Sequence, residues 1–240
     1  MCIIAIFKRG QRPNKETVKR MISTNQDGVG IAWNTGRNVY FRKGFKTAAE
    51  VESFLKRLSK TDGVRDVIFH ARIGTSGGIS AAKCHPYPLS ADDKQLNRTT
   101  YGGGAPVVFH NGVFSIDIED GLNDSQTFVK KMLYPLYRAD ARGLLAGKYD
   151  ELIDMAVHGS RLVIMTPEGF RAYGSGWCEE NEAWYSNSGY KSYTARYGYA
   201  CYGWDDEYDD ELIEYYRSGS RKSFAEWRKE KLAAAEGGAG

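Results

Sequence analysis

The sequence predicts an α+β chain in which two mostly antiparallel β-sheets stack face to face and helices cover their outer sides, a four-layer αββα sandwich. Residues 2 to 8, CIIAIFK, place Cys2, Ile4 and Ile6 on one face of an extended chain and Ile3, Ala5 and Phe7 on the other. Both faces are apolar, so this strand must be covered on both sides. DGVGIAW (27 to 33) and NVYFRK (38 to 43) flank the turn-forming run Asn34-Thr35-Gly36-Arg37, which reads as a hairpin and brings in antiparallel pairing. Later, RLVIMT (161 to 166), GFRAYG (169 to 174) and AWYSNS (183 to 188) are apolar or aromatic runs separated by turn residues, as expected of a meander. Each strand set needs a covered face and the central strands need two, which two sheets with outer helices supply.

The remaining elements follow along the chain. From Thr47, a candidate N-cap, Val51, Phe54, Leu55 and Leu58 recur at helical spacing and Gly63 follows the helix end. VIFHARI (67 to 73) is a strand. Gly74 to Tyr101 is rich in Gly, Ser, Pro and Asp and is expected to be a long surface loop of the kind used as a lid or binding loop. The strand PVVFHNG ends that loop. A helix begins near Asn123 or Asp124 and carries Phe128, Val129, Met132 and Leu133, with Pro135 expected to kink or end it, and another spans about 149 to 157. Beyond Tyr190 the composition turns Tyr-rich and then charged, with helices expected near Asp210 to Tyr216 and Ser223 to Ala235. The expected organisation is therefore one domain over 2–190 and an extension over 191–240. A chain of 240 residues is long enough to bury a sizeable core.

Charge narrows the partners. The 33 basic and 30 acidic side chains are interspersed and leave +3, which gives no electrostatic case for nucleic acid or a membrane surface and points to a small substrate. The start MCIIAIFKRG has no basic region before its apolar run, is too short to span a bilayer and precedes no small-residue cleavage site, so a cytoplasmic protein is expected. Cys2, Cys84, Cys178 and Cys201 lie far apart without a C-x-x-C pair; reduced thiols are expected, and no metal site.

Cys2 is the residue with distinctive chemistry. A small side chain after the initiator permits removal of Met1, which leaves a thiol and a free α-amine on one residue. The amine titrates at roughly 7.7 to 8.0 and the thiol near about 8.5, so the amine can accept the thiol proton without a histidine. By itself a second-position Cys is more often a small buried hydrophobe. Downstream, however, stands an ordered series: NQDGVG (25 to 30), FHARIGTSGG (69 to 78), CHPYP (84 to 88), VVFHNG (107 to 112) and NDSQTF (123 to 128).

This series resembles the class II glutamine amidotransferase domain, an N-terminal-nucleophile hydrolase in which an N-terminal Cys strand is followed by D-G-x-G, H-x-R-x-x-T, H-P, H-N-G and an Asp before a helix. The match is collinear over about residues 2 to 130 and looser to about 190. The resemblance implies L-glutamine as substrate, Cys2 as nucleophile, and Asn111 (side-chain N–H) with Gly112 (backbone N–H) as the oxyanion hole. It implies Arg72 on the substrate α-carboxylate with Thr75 assisting, Asp124 on the α-ammonium, and His85 with Pro86 shaping the glutamine-covering loop. The chemistry of the residue types agrees. Arginine grips a carboxylate in a way lysine cannot, and glycine lets backbone approach substrate. Asp124 has a second reading as a helix N-cap, with Asn123 able to cap in its place. His70 and His110 are expected to be hydrogen-bonded structural residues, and Gly28 and Gly30 to allow close approach of the neighbouring strand to the nucleophile.

No cofactor is expected, and no Walker-type phosphate loop or dinucleotide fingerprint occurs in the sequence. Only about fifty residues follow the domain, too few for an ammonia-using domain, so a separate synthetase or transferase is the expected acceptor. Two further readings remain: an amidohydrolase of the same fold acting on another γ-glutamyl compound, and a non-catalytic glutamine-binding or interaction module.

Overall fold

In a computed structural model of the chain, residues 2–8, 11–74 and 78–191 are described. The elements run β1 (Ile3–Phe7), α1 (Lys15–Thr24), β2 (Val29–Asn34), β3 (Val39–Phe45), α2 (Ala48–Leu58), β4 (Val67–Ala71), β5 (Tyr87–Pro88), α3 (Asp93–Leu96), β6 (Thr100–Gly103) and β7 (Val107–Asn111). They continue with α4 (Asp124–Phe128), α5 (Tyr134–Ala139), α6 (Ala141–Ala146), α7 (Asp150–Ala156), β8 (Arg161–Met165), β9 (Phe170–Tyr173), β10 (Cys178–Glu180) and β11 (Ala183–Tyr185). A seven-stranded sheet has the order β10-β11-β1-β4-β2-β3-β6 and a four-stranded sheet the order β5-β7-β8-β9. All the pairings are antiparallel.

The two apolar faces of β1 part as its alternation dictates. Ile3, Ala5 and Phe7 pack with Val18 and Met21 of α1 and Val51 and Leu55 of α2. Ile4 and Ile6 turn the other way and, with Ala32, Phe41 and Ile68, meet Val107, Phe109, Val163 and Met165 of the smaller sheet. The far side of that sheet carries Val108, Leu162 and Ile164 against Phe128, Leu144 and Ile153 of α4, α6 and α7. Burial of such side chains, roughly 1.5–3 kcal/mol each, is the main force holding the elements together.

Thr47 caps α2 in a full capping box with Glu50, as its sequence position indicates. Two expectations are corrected, on the segment after β4 and on the late strands; one helix is added, and at Pro135, where a kink or an end was expected, the end is ruled out. Residues 15–24 form α1, which the sequence reading passed over: Asn14 caps it by accepting from Thr17 N at 2.8 Å, and its buried apolar side chains are Val18, Met21 and Ile22. The segment after β4 is not simply a surface loop, because residues 83–89 are buried and it contributes β5 to one sheet and β6 to the other. The late strands are not one meander: β8 and β9 extend the smaller sheet, whereas β10 and β11 form a hairpin beside β1 in the larger. The helix through Pro135 does not end there. A π-turn over Val129–Leu133 precedes it, and the wider turn accommodates a ring that lacks an N–H while the chain stays helical to Ala139. The expected helices of the extension, and the segment 192–240 as a whole, lie outside the described residues.

Gly28 and Gly30 serve a different neighbour from the expected strand. A Cβ on Gly30 would stand 1.6 Å from the carbonyl oxygen of His85, and one on Gly28, at φ +125°, would stand 2.6 Å from Cys84 Sγ. The buried segment therefore lies directly on β2, where only glycine leaves room. Lys43 pins it from β3: its Nζ donates to Ala82 O at 3.0 Å and Pro86 O at 3.1 Å, and burial pushes its ammonium down to about 7. A Gly30→Ala substitution is expected to lower stability by about 2–3 kcal/mol through overpacking, measured by urea unfolding; an unchanged midpoint would contradict this packing.

Candidate active site

Cys2 immediately precedes β1 and is half-buried. Its Sγ lies 3.4 Å from both the N and the O of Ile73, the residue after Arg72, and its own carbonyl accepts from Asn187 Nδ2 at 2.7 Å. Burial pushes the Cys2 thiol up, opposed by the Ile73 N–H and by the positive charge of Arg72, while the carboxylate of Asp124 pushes it further up. The charges of Arg72 and Asp124 thus act on the thiol in opposite directions.

Each is placed for a local reason. Register pairs Ile3 with Ala71 and Ile4 with His70, so the chain leaving β4 reaches Arg72 beside the start of β1. Arg72 donates from N to Gly28 O at 2.9 Å and from its guanidinium to Gly78 O at 2.9 Å. Asp27 Oδ2 accepts from Gly74 N at 2.6 Å, turning the chain after the arginine. Asn123 and Gln126 complete the capping box of α4, which leaves the first helical residue, Asp124, free of that duty. Its Oδ2 accepts from Phe114 N at 2.9 Å.

Asn111 ends β7 and is buried, with its carboxamide 2.8 Å from Ser186 Oγ. Gly112 follows at φ +149°, and a Cβ there would fall 2.2 Å from Ser160 Cβ, so the bend that ends the strand excludes any side chain. Thr75 lies outside the described residues. His85 is buried between His70, at 4.3 Å between ring centroids, and Tyr87, at 4.5 Å.

The histidines are held neutral. His70 Nε2 contacts His110 O at 3.1 Å, and since a carbonyl only accepts, Nε2 carries the hydrogen. Ser160 Oγ donates its one hydrogen to Val157 O, so it accepts from His110 Nε2 at 3.0 Å, and His110 Nδ1 accepts from Ser125 Oγ at 2.9 Å. Burial lowers His70 and His110 to about 3 and His85 well below its ordinary value. None of these hydrogen bonds reaches Cys2 Sγ.

Ser186, Asn187 and Lys43 were not picked out from the sequence, and Asp27 only as part of D-G-x-G. The available signal for the first two was the polar triplet Ser186-Asn187-Ser188 closing an aromatic strand, and for Lys43 a charge within an otherwise alternating strand. Cys2 and Cys84 are free, and Cys201 lies outside the described residues. Among the described residues no group of three or more His, Cys, Asp or Glu is arranged to hold a metal ion, and no helix is long and apolar enough to cross a membrane.

No protein-family model and no curated protein sequence matches the chain. Solved structures do. One, described as the allosteric regulatory enzyme of purine biosynthesis, has a TM-score of 0.50 and 16% identity over 77% of this chain and 41% of its own. Another, glutamine phosphoribosylpyrophosphate amidotransferase from B. subtilis complexed with ADP and GMP, has a TM-score of 0.47 and 15% identity over the same shares, 77% and 41%. The likeness to the first is one of fold, and the chain spans less than half the length of either.

The neutral histidines carry a pH signature. Their folded values lie below the imidazole's ordinary 6.5, so the unfolded chain binds protons that the folded one refuses. Their contribution to stability is complete above about pH 6.5 and is lost as pH falls toward about 3. Urea unfolding between pH 7 and 5 is expected to show stability falling on a slope that approaches roughly 1.4 kcal/mol per pH unit for each histidine; a flat profile would contradict their neutral burial.

Proposed function

We propose that the chain is a class II glutamine amidotransferase domain, with the αββα layering of N-terminal-nucleophile hydrolases, in which Cys2 attacks the side-chain amide of L-glutamine once Met1 is removed. The observation that carries this reading is the half-buried Cys2 thiol held against Ile73, the residue after Arg72, at the start of a strand that Ser186 ties to Asn111. The charges of Arg72 and Asp124 suit the two ends of a free amino acid: the guanidinium takes the α-carboxylate and Asp124 the α-ammonium. Three apolar packing clusters, helix on sheet, sheet on sheet and sheet on helix, support the layered assignment.

The chemistry follows from the surroundings of the sulfur. A thiol raised by burial is protonated near neutrality, so attack requires a base at hand. His70 and His110 bond elsewhere and are too weakly basic; the α-amine of Cys2 itself accepts the proton. Sulfur adds to the amide carbon, and the oxygen that gains charge is met by Asn111 Nδ2–H and Gly112 N–H. Collapse returns the proton to the leaving nitrogen and releases ammonia, leaving a γ-glutamyl thioester. Water then adds to the thioester, the sulfur leaves, and glutamate departs. Ammonia passes to a separate acceptor enzyme, a synthetase or transferase that carries its own activating site.

Glutamate release from L-glutamine by protein of verified N-terminus tests this. Cys2→Ala is expected to abolish turnover, and retention of Met1, checked by intact mass, to do nearly the same because the thiol loses its own amine. Arg72→Lys is expected to raise KM about tenfold or more as the bidentate grip is lost. Absence of glutamate from protein beginning at Cys2 would contradict the proposal.

A further inference from the structure

Nucleophile and oxyanion donor belong to different sheets, and one side chain outside the mechanism above stands between them. Ser186 directly follows β11. Its backbone N donates to Ile4 O at 2.9 Å and its Oγ accepts from Ile4 N at 2.8 Å, so it is locked onto the strand two residues past the nucleophile. The next residue, Asn187, holds the Cys2 carbonyl. From this base the same Oγ contacts the carboxamide nitrogen of Asn111 at 2.8 Å. Ser186 is fully buried and Asn111 is 1% exposed.

The donors and acceptors do not balance with nitrogen facing serine. A hydroxyl has one hydrogen and two lone pairs. Ile4 N and Asn111 Nδ2 both donate to Ser186 Oγ, which leaves the hydroxyl hydrogen unused, while Asn111 Oδ1 is buried with no hydrogen-bond partner. A buried acceptor left unsatisfied is costly. A half-turn of the carboxamide cures both faults: Ser186 O–H donates to Oδ1, and both Nδ2 hydrogens face away from the serine.

We infer that Ser186 is the positioning residue of the oxyanion donor: by holding Oδ1 of Asn111 it aims the Nδ2 hydrogens at the substrate oxygen, and through Ile4 it fixes that donor relative to the nucleophile strand. The inference rests on the reading of Asn111 as oxyanion donor. Without the serine the amide can present its oxygen to the developing negative charge, where it repels. With it, the donor is oriented before the charge forms, which is the condition for such a group to accelerate the reaction.

The test compares Ser186→Ala, Ser186→Thr, Asn111→Ala and the Ser186→Ala/Asn111→Ala pair in glutamine hydrolysis. Ser186→Ala is expected to lower kcat about tenfold to a hundredfold with little change in KM, as positioning residues do. Asn111→Ala is expected to lower it about a hundredfold to a thousandfold, and the pair to be no slower than Asn111→Ala alone. Ser186→Thr keeps the hydroxyl and is expected to retain most of kcat. Losses that multiply in the pair, or a raised KM with kcat unchanged in Ser186→Ala, would overturn the inference. Wild-type kcat in Asn111→Ala would overturn the oxyanion reading beneath it instead. A measurement on the unaltered protein needs neither activity nor a folded variant: nuclear Overhauser contacts between the Asn111 Nδ2 hydrogens and Ser186 Hβ. Weak contacts are expected; strong ones would mean that nitrogen faces the serine, and would overturn it.

Discussion

Along most of its area the contact between the two sheets is dry, Ile4, Ile6 and Ile68 against Phe109, Val163 and Met165. Non-directional packing of this kind holds sheets together without fixing their alignment to the precision that bond chemistry requires. Near Cys2, directional bonds take over. His70 donates to the carbonyl of His110, and Ser186, itself fastened to Ile4, contacts the carboxamide of Asn111. These ties join the strand that carries Cys2, and its partner strand, to the strand that ends in Asn111 and Gly112. Slippage between the sheets would break buried hydrogen bonds, each costly to leave unmade.

A second constraint is electrical. The thiol and the three histidines near it are all driven toward their neutral forms by burial. Against this uncharged background Arg72 and Asp124 stand out, and poorly screened charges act strongly in such surroundings. The buried segment 83–89, with Lys43 beneath it and Tyr87 O–H donating to Lys83 O at 2.6 Å, walls the histidines off from water.

Much of the candidate site was legible as candidates because its residue types are conspicuous where they occur. His70 and Arg72 interrupt an apolar strand, Asn111-Gly112 ends another, and Asp124 stands beside a second capping residue. The hairpin of β2 and β3 and the Thr47 cap of α2 were legible for equally local reasons. What escaped depends on contacts distant in sequence. Helix α1 shows few apolar positions among charged neighbours. Lys43 and Lys83 look like surface residues, yet lie buried because backbone carbonyls more than thirty residues away receive their hydrogens. Periodicity identified strands near 170 and 184 but not their sheets, and a lone serine gives no sign that its hydroxyl bridges to residue 111.

The central claim is that Cys2, as the first residue of the mature chain, forms a covalent bond to the γ-carbonyl of glutamine. It is tested most directly by mixing the protein with L-glutamine, quenching in acid before turnover is complete, and locating any adduct by peptide mass spectrometry. The account predicts a single glutamyl group on residue 2 of chains that lack Met1. An unmodified residue 2 in chains that are meanwhile releasing glutamate, or an adduct on Cys84, would contradict it.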